Sequence, residues 1–429
     1  MFNNLDRNLF ISGGAGTGKS YTLRSIAESY EKQKKIVIRL ASTAIAGLNI
    51  DGDTLHRFFG FGICKDFLEL SHHDRKHARS LKEKIKIISK SDLILIDEIS
   101  MVSANLIDMI AKRLYDAGFN GKVVFAGDFY QLPPVLPRYE SPNKNLFSEA
   151  KKYAFESDAW KDVFDPKYIE LKESHRTKDL EFIKMLNNLR VGKFNASCEK
   201  LLRKYAAQED VLLGDPTHLY PRNAEVDFYN EKRLAKIKSE ERIYEAAIIT
   251  ADYITDDQLE QFIKTLTTPR ELKLKIGAKI IFTKNDPYHR FFNGEKGEIV
   301  ELNEDQIAVK KDNGEEVLAE RCEFKQEKFT KIAEDNNGIE TETMINFIQF
   351  PMRLAWAITI HKSQGMGIDN LVINLDNRLF ENGQFYVAIS RASNPEKLFL
   401  QTSNDVIFAV KGAIQPKPAV DKFYESVLI

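Results

Sequence analysis

The sequence predicts an α/β protein: a parallel sheet over the first 170 residues, then a second α/β unit interrupted by a small all-β insertion. Three observations predict it. The apolar run Leu9-Phe10-Ile11 feeds directly into a glycine-rich stretch, Gly13-Gly14-Ala15-Gly16-Thr17-Gly18-Lys19-Ser20. Short apolar strands then alternate with helical stretches, the pattern of a parallel sheet with crossover helices. Beyond Leu272 the character changes to closely spaced strands separated by Asn-Gly, Asn-Glu-Asp and Asp-Asn-Gly turns, the pattern of a small barrel.

Taken in order, Leu9–Ser12 is the strand that enters the glycine loop, and a helix opens at the loop's end. Ile36–Leu40, Leu93–Ile96 and Val123–Ala126 are the next strands. Between them, Ser71–Lys90 is helical in pattern and basic (Arg75, Lys76, Arg79, Lys82, Lys84, Lys86, Lys90), which reads as a solvated helix face, with a DNA-facing surface as the alternative. Helical spacing resumes from Leu180 to Lys204, and Thr217–Tyr220 opens the second α/β unit. Leu272–Thr283, Gly297–Leu302, Gln306–Lys311 and Glu316–Ala319 form the insertion, and strand Leu371–Leu375 returns to α/β character.

Bulk properties narrow the function less than the pattern does. The 43% hydrophobic content suits packed cores, and 62 basic residues against 63 acidic ones mean that any nucleic-acid site must be local. Cys64, Cys198 and Cys322 lie far apart and read as reduced structural thiols. No basic-then-apolar leader and no run near the ~18 apolar residues of a membrane span occur, so a soluble, cytoplasmic protein without membrane partners is expected.

The chemistry starts at the glycine loop. All fixed positions of G-x-x-x-x-G-K-S/T are present in strand–turn–helix context, so consecutive backbone N–H groups can cradle a triphosphate at the positive end of a helix. Gly13, Gly14, Ala15, Gly16, Thr17 and Gly18 supply that cradle, Lys19 reaches the β- and γ-phosphates, and the Ser20 hydroxyl ligates Mg²⁺. Leu93-Ile94-Leu95-Ile96-Asp97-Glu98 is a strand ending in two acids. Asp97 would hold Mg²⁺ across from Ser20, and Glu98 would orient and deprotonate water, which argues for hydrolysis. Val123–Asp128 repeats the strand-then-acid pattern, and Gln131, ahead of Pro133-Pro134, offers an amide that can sense the γ-phosphate. Arg176 and Arg391, far downstream, suit the cationic donors that a cleaving phosphate needs, because the guanidinium stays charged and binds oxygens bidentately; each taken singly reads as a surface ion-pair residue, and the case for them rests on the family pattern below.

With these stand Gly52-Asp53-Thr54-Leu55-His56-Arg57-Phe58-Phe59-Gly60, Asp97-Glu98-Ile99-Ser100-Met101, Gly127-Asp128-Phe129-Tyr130-Gln131-Leu132-Pro133-Pro134-Val135, Phe155-Glu156-Ser157-Asp158-Ala159-Trp160, His361-Lys362-Ser363-Gln364-Gly365 and Tyr386-Val387-Ala388-Ile389-Ser390-Arg391. In that order, from Phe10 to about Leu400, the chain resembles the PIF-type (petite integration frequency) DNA helicases, in the RecD-like branch of superfamily 1 (1B). The resemblance implies an ATP- and Mg²⁺-dependent, DNA-stimulated ATPase that travels 5′ to 3′ on single-stranded DNA and unwinds duplex or structured DNA in replication, repair or recombination. It implies two RecA-like P-loop domains sandwiching ATP: residues 1–170 with a wedge subdomain at about 57–75, and 171–265 with 351–429 and a C-terminal tail. An inserted Src-homology-3-like β-barrel would occupy 266–350. Arg176 and Arg391 would reach ATP across the cleft, and Gln364 and Gly365 would join the nucleotide contacts.

DNA contacts follow by motif: Thr43 and Ala44 after a strand, Thr54 and His56 in a second motif, and His361, Lys362 and Ser363 gripping the backbone from the second domain. Phe58, with Phe59, either stacks on bases or belongs to the core, the reading favoured for a Phe-Phe pair. Partners would be single strands and single–double-strand junctions, bound by a monomer, with a DNA-induced dimer as an option. The chain departs from the family pattern at three places. No glutamine precedes Gln33 to read adenine, Thr177 replaces a common Gln, and Gly367 replaces a common Thr. A P-loop clamp that binds DNA without moving, or a RecD-like subunit needing a nuclease partner, are the competing readings.

Overall fold

The computed structural model describes residues 5–43, 46–47, 50–62, 64, 67–134, 151–207, 215–266, 268–332, 339–376 and 382–427. The first lobe is built on six parallel strands: β1 (Leu9–Gly13), β2 (Val37–Ala41), β3 (Asp53–Thr54), β4 (Leu93–Asp97), β5 (Lys122–Gly127) and β6 (Lys167–Leu171), in the spatial order β3-β2-β4-β5-β1-β6. Strand β4 is buried at every position because it is covered on both faces. Its side chains alternate: Ile94 and Ile96 enter the core with Phe125 and Trp160, while Leu93 and Leu95 meet Leu23, Ile26 and Tyr30 of helix Lys19–Glu31. Since β4, β5 and β1 are neighbours, the loops leaving their carboxyl ends lie side by side, the usual place for a ligand in an open parallel sheet.

The second lobe carries a four-stranded parallel sheet in the order Ala357–Thr359, Thr217–Tyr220, Leu371–Asn374, Leu398–Gln401. Helices Leu180–Arg190, Ala196–Ala206 and Gln384–Ile389 bury Phe182, Leu202 and Phe385 into its core. Between its strands, five antiparallel strands (Lys279–Phe282, Lys296–Leu302, Gln306–Lys311, Glu316–Glu320, Met352–Leu354) enclose a core of their own around Ile280, Ile299, Val309 and Trp356. A long hairpin, Cys322–Ile332 with Ile339–Gln349, pairs with Ala247–Thr250.

The sequence reading differs from this in three places. Strands that pair with the inserted region begin at Arg242, well before residue 266; they escape the sequence because Arg242–Glu245 and Ala247–Thr250 are largely exposed and carry no clean alternation of apolar residues. The basic helical stretch is two helices, Phe67–Lys76 and Ala78–Lys90, broken at His77, and its basic side chains are mostly solvated, with Lys84 instead donating to the Arg57 and Phe58 carbonyls.

The third difference is at the chain's end. Helix Pro418–Val427 returns to the first lobe, where Val420 and Tyr424 are buried in the core and Phe423 stacks on Phe155 at 4.3 Å. The Tyr424 hydroxyl is 2.8 Å from Ser12 Oγ, one residue before the glycine loop, and accepts from the Phe129 N–H. Tyr424→Ala should therefore destabilise the first lobe by about 3 kcal/mol or more in urea titrations that monitor that lobe; an unchanged midpoint would mean the helix is an appendage.

Candidate nucleotide site and DNA-facing motifs

The loop that leaves β1 is bent by glycines where the chain needs a left-handed backbone: φ is 76° at Gly16 and 87° at Gly18, which caps helix Lys19–Glu31. Lys19 Nζ folds back to donate to Gly13 O (2.8 Å) and Gly14 O (2.9 Å). Burial pulls the lysine below its ordinary range, against the opposing pull of Asp128, Glu98 and Asp97. At the foot of the loop, Ser20 Oγ donates to Asp97 Oδ2 at 2.8 Å. A hydroxyl and a carboxylate at that separation are hard oxygen donors of the kind Mg²⁺ takes, with phosphate and water oxygens left to complete an octahedron. Among the described residues no group of three His, Cys, Asp or Glu could hold a metal without them. The donor set fits Mg²⁺.

Glu98 stands next in the chain, at φ 53°, an uncommon backbone for a residue with a side chain and one that marks a functional site when the surroundings enforce it. Its Oε2 is buried without a hydrogen-bond partner. Burial, then the negative charge of Asp97, push its carboxyl up to about 7, while Lys19 and Arg391 pull the other way. A carboxylate held near neutral pH with an idle oxygen is a competent base for water.

The second lobe meets the loop directly. His175 N–H donates to Gly16 O (2.9 Å), and a Cβ on Gly16 would come within 2.8 Å of the Arg176 Cβ, so this position has room only for glycine. Arg176 donates to Ser390 O (2.6 Å) and Gly365 O (3.1 Å). Arg391, almost wholly buried, donates to Val387 O, Ser363 O and Ser390 Oγ. Burial lowers Arg391 to about 9, where it still carries its charge at neutral pH, and Glu98 is among the groups that act on it. Thus Lys19 and Glu98 from the first lobe and Arg176 and Arg391 from the second are brought to one seam.

Gln131 is buried with its backbone pinned, its N–H on Asp128 O and its carbonyl accepting from Lys417 Nζ at 2.6 Å. Gln364 has a buried Nε2 without a partner among the described residues, and with Gly365 it lines a cavity of about 920 Å³ that runs from Ser20 past Arg24 and Arg57 to Lys284 of the insertion.

A family model for PIF1-like helicases matches residues 1–200. The ATP-dependent DNA helicase Pif1 of Campylobacter jejuni is 39% identical over 427 residues, covering 95% of this chain and 93% of that protein. The chain belongs to the PIF1-like helicase family. Its fold is also similar to crystal structures of Bacteroides Pif1: TM-score 0.80 and 29% identity for the complex with ADP-AlF4, and 0.65 and 28% for the complex with ADP-AlF3 and single-stranded DNA, each covering 98% of this chain and 93% of the other.

Against that background the DNA-facing expectations for this PIF1-like chain divide. Thr43 Oγ1 accepts from Ala46 N–H, and Thr54 Oγ1 caps helix Leu55–Phe59 by accepting from Arg57 N–H, so each hydroxyl keeps a proton to donate to a phosphate. His56 is exposed, and His361 and Lys362 are half-buried at the end of strand Ala357–Thr359. Ala44 lies outside the described residues. Two expectations are corrected. Phe58 is buried at 2% exposure in a ring cluster, with its centroid 5.0 Å from Phe59, so it cannot stack on a base. Ser363 is fully buried, its hydroxyl donating to Ile360 O at 2.7 Å; its carbonyl holds Arg391 and its side chain reaches no solvent.

Sequence reasoning missed the lobe-to-lobe partners. Asp128, fully buried, is held by Arg190 through Nε and Nη2 at 3.0–3.1 Å, and Arg190 lies over the rings of Tyr130 and Tyr424. The acid at the end of a strand was visible; nothing in the sequence marked which of 62 basic residues would answer it.

Because Glu98 must lose its proton to act as a base, kcat/KM for ATP should rise with pH as a single-proton titration centred near 7, and fall on the acid side. Glu98→Gln should be slow and flat across that range. A wild-type profile level from about pH 6 to 8 would remove Glu98 from the role.

Proposed function

We propose that this PIF1-like chain is an ATP-driven helicase that travels 5′ to 3′ on single-stranded DNA and opens duplex ahead of it, as a monomer, in replication, repair or recombination. The observation that carries the reading is the seam: a base and a lysine from one lobe face two arginines from the other around a phosphate loop. In this reading Lys19 and the loop amides from Gly13 to Ser20 other than that of Ala15, which donates to Tyr386, hold the phosphates, and Ser20 and Asp97 hold Mg²⁺. Glu98 takes the proton of the attacking water, Gln131 senses the γ-phosphate, and Gln364 and Gly365 border the nucleotide. Arg176 and Arg391 stabilise charge on the departing phosphate, which is possible only when the lobes are closed.

The grip on DNA is assigned to Thr43, Ala44, Thr54 and His56 on the first lobe and to His361 and Lys362 on the second. Support for coupling lies in one short segment. His361 and Lys362 precede Ser363 and Gly365, whose carbonyls receive Arg391 and Arg176, so a movement at the strand is felt at the phosphate. Cycles of closure and opening would then shift one grip relative to the other. Among the described residues no helix is long and apolar enough to cross a membrane.

Duplex DNA with a single 5′ or 3′ tail tests motion and polarity together. The 5′-tailed duplex should be unwound with ATP and the 3′-tailed one should stay annealed; binding without strand separation would favour a static clamp. Lys362→Ala should weaken single-strand binding and lower the slope of log K against log salt by about 0.7, the signature of one lost phosphate contact on a single strand. An unchanged slope would remove Lys362 from the grip.

A further inference from the structure

We propose that Tyr386 is the residue that registers the second lobe's arginines against the phosphate loop, its phenolic oxygen holding the Ala15 amide. This deepens the ATPase reading above and rests on it. The Ala15 N–H donates to the Tyr386 hydroxyl at 3.0 Å, joining groups 371 residues apart. The hydroxyl sits against a bare stretch of loop: a Cβ on Gly14 would stand 3.5 Å from it. The ring itself is 3% exposed, packed in the second lobe's core with Phe385 and Val387.

Its place on the chain gives the contact a consequence. Tyr386 lies in helix Gln384–Ile389, and Arg391 Nε donates to the carbonyl of Val387, the residue after the tyrosine. Arg176 donates to the carbonyl of Ser390 in the same segment. Both arginines are therefore tied to the backbone that the tyrosine ties to the loop. Asp128, Arg190 and Arg391 are near enough to act on the phenol electrostatically, so the hydroxyl faces the seam and not the core beneath it. A phenylalanine would pack the core equally well; what the hydroxyl adds is the bond to Ala15.

Tyr386→Phe removes that bond and leaves the ring. Binding of a fluorescent, non-hydrolysable ATP analogue, read by anisotropy, should stay within about twofold of wild type, since Lys19 and the remaining amides are intact. KM should follow it, while kcat falls about tenfold, because the loss is in alignment and not in binding. In an Arg391→Ala background the same change should cost clearly less than tenfold, because the tyrosine acts partly through that arginine and only Arg176 is left to misalign. The proposal is overturned by a kcat within about twofold of wild type. It is equally overturned by losses that add in full in the double variant, or by analogue binding weakened more than about tenfold, which would make Tyr386 a binding group. Wild-type protein without DNA-stimulated hydrolysis in the same assay would instead sink the ATPase reading itself.

Discussion

Charge buried where two lobes meet is the constraint on which the rest of this structure depends. Lys19, Asp97, Glu98 and Asp128 enter the seam from one side and Arg176, Arg190 and Arg391 from the other. Removing such groups from water is costly unless each finds a partner. Asp128 and Arg190 do find one another, and their charge-assisted bonds hold the lobes together without a ligand. Lys19, Arg176 and Arg391 rest on backbone carbonyls, which satisfy hydrogen bonds but do not neutralise charge. Glu98 keeps an idle oxygen. A triphosphate with Mg²⁺ brings what this arrangement lacks, an anion for three cations and an ordered water for a base.

The fold serves that seam in two ways. In the first lobe, a parallel sheet buried on both faces puts the glycine loop, the Asp97-Glu98 pair and Asp128 at adjacent carboxyl ends, so their spacing is set by the 4.8 Å or so between strands and not by loop conformation. In the second, the segment after strand Ala357–Thr359 carries His361 and Lys362, to which the DNA grip is proposed to belong, and, within four residues, the carbonyls that hold both arginines. Ser363 illustrates the arrangement: its side chain locks the turn by bonding to Ile360 O, and its carbonyl carries Arg391. Helix Pro418–Val427 adds a strap. Tyr130 donates to Asp421 at 2.6 Å and Lys417 to the carbonyls of Tyr130 and Gln131, fixing the Gln131 turn to the chain's last helix.

Much of this was legible in the residues. The glycine loop, the strand ending in two acids and the second strand ending in Asp128 declare their chemistry because short-range spacing determines their geometry, and the parallel strands declare themselves as unbroken apolar runs. What failed depended on burial or on distant pairing. Residue type made Ser363 eligible for DNA, yet it turns inward, and nothing within a few residues reports that; for Phe58 the adjacent Phe59 already favoured the core, where the two rings pack. Arg190 sits within a stretch read only as helical, and nothing near it in the chain reports its pairing with Asp128, 62 residues away. The early strands at Arg242–Glu245 and Ala247–Thr250 escaped because exposed strands lack the apolar alternation that reveals buried ones.

The claim that both lobes share one phosphate is tested most directly by a crystal structure of this chain with an ADP–metal fluoride and Mg²⁺. On this account Arg176 and Arg391 leave the carbonyls of Gly365 and Ser363 and come within hydrogen-bond reach of the fluoride, with a water on Glu98 opposite the bond to be broken. If both arginines stay on those carbonyls while the analogue is fully bound by the first lobe, the account is wrong.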